Sequence, residues 1–450
     1  MSSQTPFQQK YASYKRRLHR NVLIFVVVLF SLIALMGWAE HEGLSRNLIG
    51  PIFLFSTVML YALIGVAGRT TNADEYYVAG RRIPAFYNGM ATAADWMSAA
   101  SFISLAGALY LQGFSGSGGQ AGGLAYVMGW TGGFCLVGLL IAPHLRAMKL
   151  YTLPDYFDQR YGGRWPRILA ALASVLCSFT YVVAQIYGIG LIASRLTGVQ
   201  FEIGILLGLG GVLLCSFLGG MRAITWTQVA QYIMLLLAFM IPVSWLAYKQ
   251  LGTPLAPLVY GQQLSRIEAI EKKLINDPGE IEVREEYARR AQMFQMRLVH
   301  VERSMVELRQ EMEEKIRLLK AQSADYASIA QARRELLAVP RDVATAREQW
   351  TRAMHDNLDR ARPLGGMPMH AQAFAGNPDG NPSEVKLFEE SRLNFLALVF
   401  CLMVGTAGLP HLLTRFYTLP SVAEARSSVA WSLFFIGLLY LSVPALAVLV

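Results

Sequence analysis

The chain has 450 residues, 54% of them hydrophobic and only 16% charged, with a formal net charge of +9. With a mean hydropathy of +0.35, that composition suits a polytopic membrane protein. The basic excess does not make it a nucleic-acid binder: Lys and Arg sit mainly in short loops beside apolar runs and in one long polar segment. Zinc spacings, phosphate-cradling glycine loops followed by lysine, and nucleic-acid motifs are absent from the sequence.

Residues 1–20 form a basic tail, and the first apolar run, 21–38, follows it without a small-x-small cleavage site, so it reads as an uncleaved anchor. Residues 48–68 supply a second span of about the 20 residues that a bilayer requires. A polar loop containing EYYVAGRR (75–82) leads to Pro84 and then to residues 89–113, the stretch around which the chain is organised. Its centre, AADWMSAAS (93–101), places an acid and two hydroxyls inside an apolar run. Ionised carboxylates at bilayer depth cost a few kcal/mol or more, so intact transmembrane helices avoid them. The other candidate spans hold no Asp, Glu, Lys or Arg, which makes Asp95 the one formal charge expected at membrane depth, with no counter-charge on the protein. Two readings stay open at this point. Asp95 either belongs to a broken helix whose acid and freed carbonyls coordinate a cation, or it is a structural acid at a polar helix contact.

The glycine-rich run 113–123 lacks the lysine of a phosphate loop and reads as a turn. Further spans are expected at 124–141, 168–193, 203–218 and 226–247, with a short amphipathic interfacial helix at 151–161. All four cysteines, Cys135, Cys177, Cys215 and Cys401, fall in apolar runs, where disulfides are not expected. Residues 251–392 are highly charged. Leu298, Val301, Met305, Leu308, Met312 and Leu319 fall there at steps of three and four, a heptad seam broken by Lys315. A helical hairpin packed on itself and a coiled coil for a partner or for self-association both fit that seam. After the breaker cluster NPDGNP (377–382), spans at 393–413 and 429–450 complete nine, and GTAGLPH (405–411) interrupts the first of these two.

Arginine and lysine concentrate in the loops that share a side with the N-terminus (Arg81, Arg82, Arg146, Lys149, Arg222, Arg415 among them). The opposite short loops hold little beyond Arg46 and Arg195. This asymmetry puts the N-terminus in the cytoplasm and the 251–392 segment outside the cell membrane. The domains expected are thus a tail (1–20), a membrane unit (21–250), an external helical insert (251–392) and a second membrane unit (393–450). Interruptions at 94–98 and 405–410 each open one block of five spans, as expected of an inverted-repeat secondary transporter with its site at the midplane.

On EYYVAG (75–80), NGMA (88–91), AADWMSAAS, YT (151–152), GGM (219–221), WT (226–227), GTAGLPH and RF (415–416), the chain resembles the sodium:solute symporter family. It is most similar to the acetate-permease branch and to a group of enlarged symporters. The resemblance covers most of 50–250 and 392–450. It implies an all-α, LeuT-type five-plus-five inverted repeat, of which core helices 1–7 are present behind two extra N-terminal helices. It further implies a sodium site using the carbonyls of Ala94 and Met97, beside Asp95, completed by helix 8. Solute contacts are implied at Ser98, Ser101, Gly405 and Thr406. Where many members carry an Asp two residues after the Trp of helix 5, this chain has Gln228. The chain stops at Val450, where helix 7 of the pattern ends, so a fragment is expected and the sodium site is incomplete.

The function expected is cation-coupled symport, with sodium as coupling ion and no other cofactor, of a small organic anion such as acetate or a related monocarboxylate. A non-transporting receptor or scaffold that uses the insert to bind a protein partner is the alternative. An enzyme is not expected: the spans hold no nucleophile-base pair, and no catalytic residue is assigned.

The topology makes a direct prediction. With single cysteines at Ser3 and Ser304 in a cysteine-free background, an impermeant thiol reagent on intact cells should label position 304 and spare position 3; the reverse pattern rules the orientation out.

Overall fold

The computed structural model describes residues 6–98, 104–115, 122–322 and 324–450, and every regular element within them is helical. The chain begins with α1 (Pro6–His41) and α2 (Arg46–Ala67), then a short α3 (Ala73–Val78) in the loop that follows. The organising stretch is α4 (Ala85–Trp96) and α5 (Leu105–Gln112). Next come α6 (Gly123–Leu136), continued by a π turn into α7 (Ala142–Ala147), the interfacial α8 (Leu153–Tyr161), and α9 (Arg164–Thr197). A capping box of Thr152 and Asp155 starts α8, satisfying two of the amide groups that a helix start leaves without partners.

The 51-residue α10 (Phe201–Leu251) is one helix by hydrogen bonding only. Gly220, with φ 50° and ψ −144°, breaks it at the point where the sequence divides 203–218 from 226–247. A side chain at Gly220 would meet the Tyr76 carbonyl at 2.5 Å, so both the backbone angle and the close approach of α3 require glycine.

Among the described residues, six helices are long and apolar enough to cross a membrane, or seven with the bent pair Pro382–Ala407 and Pro410–Thr418, turned by 51°, taken as one span. The other two of the nine spans expected fall on α4 with α5 and on the first half of α10, which do not meet that length among the described residues. Burial sorts the bundle into a centre and a rim. The most apolar window of Val422–Leu449 is 56% buried, against 6% in Ser13–His41 and Leu48–Ala67 and none in Arg164–Thr197. The last helix, α18 (Val422–Leu449), therefore forms the core with α4, while α1, α2 and α9 present Leu, Ile, Val and Phe outward, as lipid-facing helices do.

Helix α6 packs closely against α16 (Pro382–Ala407). A Cβ placed on Gly133 would lie 1.9 Å from Thr406 Oγ1, and one on Gly129 would lie 2.6 Å from Leu402 Cβ. Small residues spaced by four let two backbones meet where no hydrophobic force drives helices together. The second interrupted helix is α16 itself, which ends at Ala407 and resumes as α17 (Pro410–Leu413) and a 3-10 turn, Thr414–Thr418.

The polar segment folds as α11 (Ala256–Ile275), α12 (Pro278–Val299), α13 (Val301–Ala321), α14 (Tyr326–Ala338) and α15 (Val343–Ala361). The heptad seam does not run on one helix, because non-helical backbone at His300 separates α12 from α13. Val301 and Met305 are buried with Ala346 and Trp350, and Leu298, Leu308 and Phe294 pack around them. Lys315, the position that spoils the seam, pairs with Glu335 of α14 at 2.7 Å. Seam residues thus find their partners inside the segment, and the self-packed hairpin describes them better than a continuous coiled coil. The segment meets the membrane unit where Glu271, buried on α11, bonds to His370, whose other ring nitrogen lies 3.0 Å from the Tyr110 carbonyl at the end of α5.

If α12, α13 and α15 share one local core, Trp350→Ala should remove about 3–5 kcal/mol from it. Hydrogen exchange should then quicken in these three helices and not in α4 or α18; uniform loss of protection across both units disproves a separate core.

Candidate functional site

Helix α4 stops inside the apolar depth of the bundle. Its hydrogen-bond ladder ends with Met97 N–H donating to the Ala93 carbonyl at 3.0 Å, and Ser98 N–H turns back to Trp96 at 3.1 Å. Ser98 would be the helical partner of the Ala94 carbonyl, so that carbonyl lies free of the ladder. Met97 has left helical geometry, with ψ 79°. Asp95 falls in this last turn, where the helix dipole disfavours an acid.

A cation offsets that cost. Arg415 Nε lies 2.5 Å from Asp95 Oδ2, with the two side chains 2% and 12% exposed. Asp95 is therefore not the lone charge expected from the sequence, and Arg415 is not in an aqueous loop. After Pro410 the chain turns through α17 and the 3-10 segment back into the bundle, and this carries the arginine inward. Burying such a pair is costly unless geometry and further hydrogen bonds compensate for lost water. Here Arg415 Nη1 donates to Thr225 Oγ1 at 3.0 Å and approaches Met221 Sδ at 3.5 Å, both on α10. Gln228, also on α10, donates its amide to Asp95 Oδ1, and Gln228 Oε1 is buried without a partner among the described residues.

Two more groups close the site. Tyr181 of α9 donates its hydroxyl to the Asp95 main-chain carbonyl at 3.4 Å, and its ring stacks on His411 at 4.6 Å. Behind the pair, a buried polar chain ties the 3-10 turn to the core. Thr418 bonds to the Arg415 carbonyl at 2.8 Å and to Asn88 Oδ1 at 3.1 Å, and Asn88 donates to Ser428 of α18 at 2.9 Å. The oxygens at the break are the Ala94 carbonyl, the Asp95 carboxylate, which is engaged by Arg415 and Gln228, and Gln228 Oε1; oxygens are the donors that hard cations prefer. The donors that the resemblance implies at this end, Ala94 and Met97, are near neighbours of Asp95 in the chain.

The remaining expected residues divide. Ser98 is half-buried beside Met97, and Ser101 lies outside the described residues. Gly405 and Thr406 form the last turn of α16, where the Thr406 hydroxyl donates to the Leu402 carbonyl at 2.5 Å and packs against Gly133. Asp95 bonds instead with Arg415, nine residues beyond Thr406. Sequence reasoning missed the roles of Arg415 and Thr225. The available signal was the spacing of Arg415 behind Pro410, since a proline-initiated turn after a broken helix need not leave the membrane.

A family model described as the sodium:solute symporter family matches residues 76–284. A protein of Cupriavidus necator named an uncharacterized symporter is 48% identical over 444 residues, covering 97% of this chain and 62% of that protein. The chain thus spans less than two thirds of that relative's length. Among solved structures, a Na+-coupled sialic acid symporter in a substrate-bound outward-open state matches with 16% identity and a TM-score of 0.41, over 89% of this chain and 78% of its own.

The buried pair sets a stability expectation. Arg415→Gln or Asp95→Asn alone strands one buried charge and should cost about 3–5 kcal/mol, while the double variant should recover most of the loss. Thermal unfolding in detergent measures this, and additive losses mean the two groups do not act as a pair.

Proposed function

We propose, from the match of residues 76–284 to the sodium:solute symporter family, that this multi-pass membrane protein takes part in sodium-coupled symport of a small organic anion. Acetate or a related monocarboxylate is the solute class that the reading favours, with sodium as coupling ion, no other cofactor, and transport rather than enzymatic turnover as the activity. The N-terminus lies in the cytoplasm and the charged insert, 251–392, outside. The observation that carries the reading is the Asp95–Arg415 pair at the broken end of α4.

A sodium ion beside the Ala94 and Met97 carbonyls and the Gln228 oxygen adjoins the Asp95 carboxylate and competes with Arg415 for it. Arg415, loosened, offers a planar guanidinium to the solute carboxylate, a geometry that favours bidentate hydrogen bonding. Ser98, Ser101, Gly405 and Thr406 are the solute contacts that the reading assigns. Coupling follows from charge. Sodium alone strands Arg415 in a dry site and the anion alone strands Asp95, each at a cost of several kcal/mol, whereas the two together leave both charges matched. Entry of one ligand thereby favours the other, which is the thermodynamic content of symport.

The test is uptake of labelled acetate into membrane vesicles from cells expressing the gene, against sodium concentration. Wild-type uptake should rise with sodium, and Asp95→Asn should weaken apparent sodium affinity by about tenfold or more. Identical sodium curves for the two reject the cation role of Asp95. Inhibition by neutral sugars but not by short monocarboxylates rejects the anion class.

A further inference from the structure

A second cavity, separate from the helix breaks, opens between α1, α2 and the second half of α10, at the end of the bundle that bears the N-terminal segment. Its volume is about 440 Å3, within the usual range of small-ligand pockets, about 300–1,000 Å3. The walls are apolar, with Val22, Phe25, Leu60, Ile64, Val229 and Ile233 among them. All six belong to helices long enough to span a membrane. The rim toward the outer face of α1 includes Ile24 and Val28, 55% and 48% exposed, so the cavity communicates with the surroundings of the bundle.

The mouth is basic. Arg17, Arg82 and Arg222 line it, and Arg82 lies over the Tyr14 ring at 5.7 Å. Arg82 and Arg222 share a single carboxylate, Glu75. Burial pushes the Glu75 carboxyl up, but the Thr70 hydroxyl and the Arg222 and Arg82 guanidiniums outweigh that and hold it below its ordinary value. Glu75 is therefore ionised at neutral pH and balances one of three guanidiniums, so the mouth keeps a charge of +2.

We propose that this cavity binds an anionic phospholipid, with its phosphate at Arg17, Arg82 and Arg222 and an acyl chain along the groove between α1, α2 and α10. Apolar walls at membrane depth beneath a basic mouth at the membrane surface are complementary to that class of molecule: the charge selects acidic headgroups and the walls select lipid over a soluble anion. A protein partner is disfavoured because the walls lie within the spans. The site also has a structural consequence. Arg222 lies two residues beyond the Gly220 break, and Glu75 belongs to α3, whose Tyr76 closes on that glycine. A phosphate at the mouth draws Arg82 and Arg222 away from sole dependence on Glu75 and fastens α1 to the break in α10.

The experiment uses the whole 450-residue chain in detergent. Native mass spectrometry and thermal unfolding are followed with phosphatidylglycerol, phosphatidylcholine or inorganic phosphate added. Phosphatidylglycerol should be retained and should raise the unfolding temperature, while the other two should do neither. Arg17→Gln with Arg82→Gln should weaken phosphatidylglycerol binding by about 25-fold, about fivefold for each arginine. Ile64→Trp, which fills the groove and leaves every charge in place, should weaken binding too, and Arg160→Gln, elsewhere on the surface, should not. Equal retention of phosphatidylcholine, equal stabilisation by inorganic phosphate, or undiminished binding in Ile64→Trp overturns the proposal.

Discussion

The ion pair between Asp95 and Arg415 is the interaction on which the rest of the membrane unit depends. A carboxylate at the C-terminal end of a helix, inside an apolar bundle, is opposed by the helix dipole and by the lack of water. The chain resolves the conflict by bringing an arginine from 320 positions away in sequence. To deliver it, α16 must break at Gly408 and the following residues must turn inward. To hold it there, α10 supplies Thr225, Met221 and Gln228, and α9 supplies Tyr181. Four separate parts of the chain are thus fixed by one electrostatic requirement.

The pair also explains how so polar a site can sit inside an apolar bundle. Asp95 and Arg415 satisfy one another, but Gln228 keeps a buried oxygen with no partner among the described residues, and the Ser98 amide turns to Trp96 rather than to Ala94. A buried acceptor without a donor is costly, and it lies here beside an ion pair whose own members are satisfied. Around this centre the close packing is done by small residues. Gly133 brings α6 against Thr406, and Gly89 brings α4 against Trp431 of α18. The site is polar where chemistry demands it and backbone-close elsewhere.

The polar insert obeys different physics. In water its apolar residues can be buried by ordinary hydrophobic packing, and Val301, Met305, Ala346 and Trp350 do so among themselves. Lys315 tolerates a seam position because Glu335 comes to meet it. The segment stays tied to the membrane unit through Glu271, His370 and the end of α5, so its fold and the position of α5 are linked.

The amino-acid sequence by itself determined the class of molecule and most of its elements, since long apolar runs, their breakers and the heptad spacing are local signals that need no tertiary context. It located both discontinuities, at Asp95 and at Gly405–Pro410, because polar and helix-breaking residues in an apolar run are visible in one dimension. It likewise separated the two halves of α10 at Gly219 and Gly220. It could not pair Asp95 with Arg415, since charge in a sequence carries no depth, and a short loop after proline looks the same whether it enters water or returns to the core. Nor could it decide whether the seam of the insert served a partner or the chain itself: that depends on where Trp350 lies in space. Only the tertiary structure joins groups hundreds of residues apart, and buried charges, which must find a counter-charge or water, are the groups for which that joining matters most.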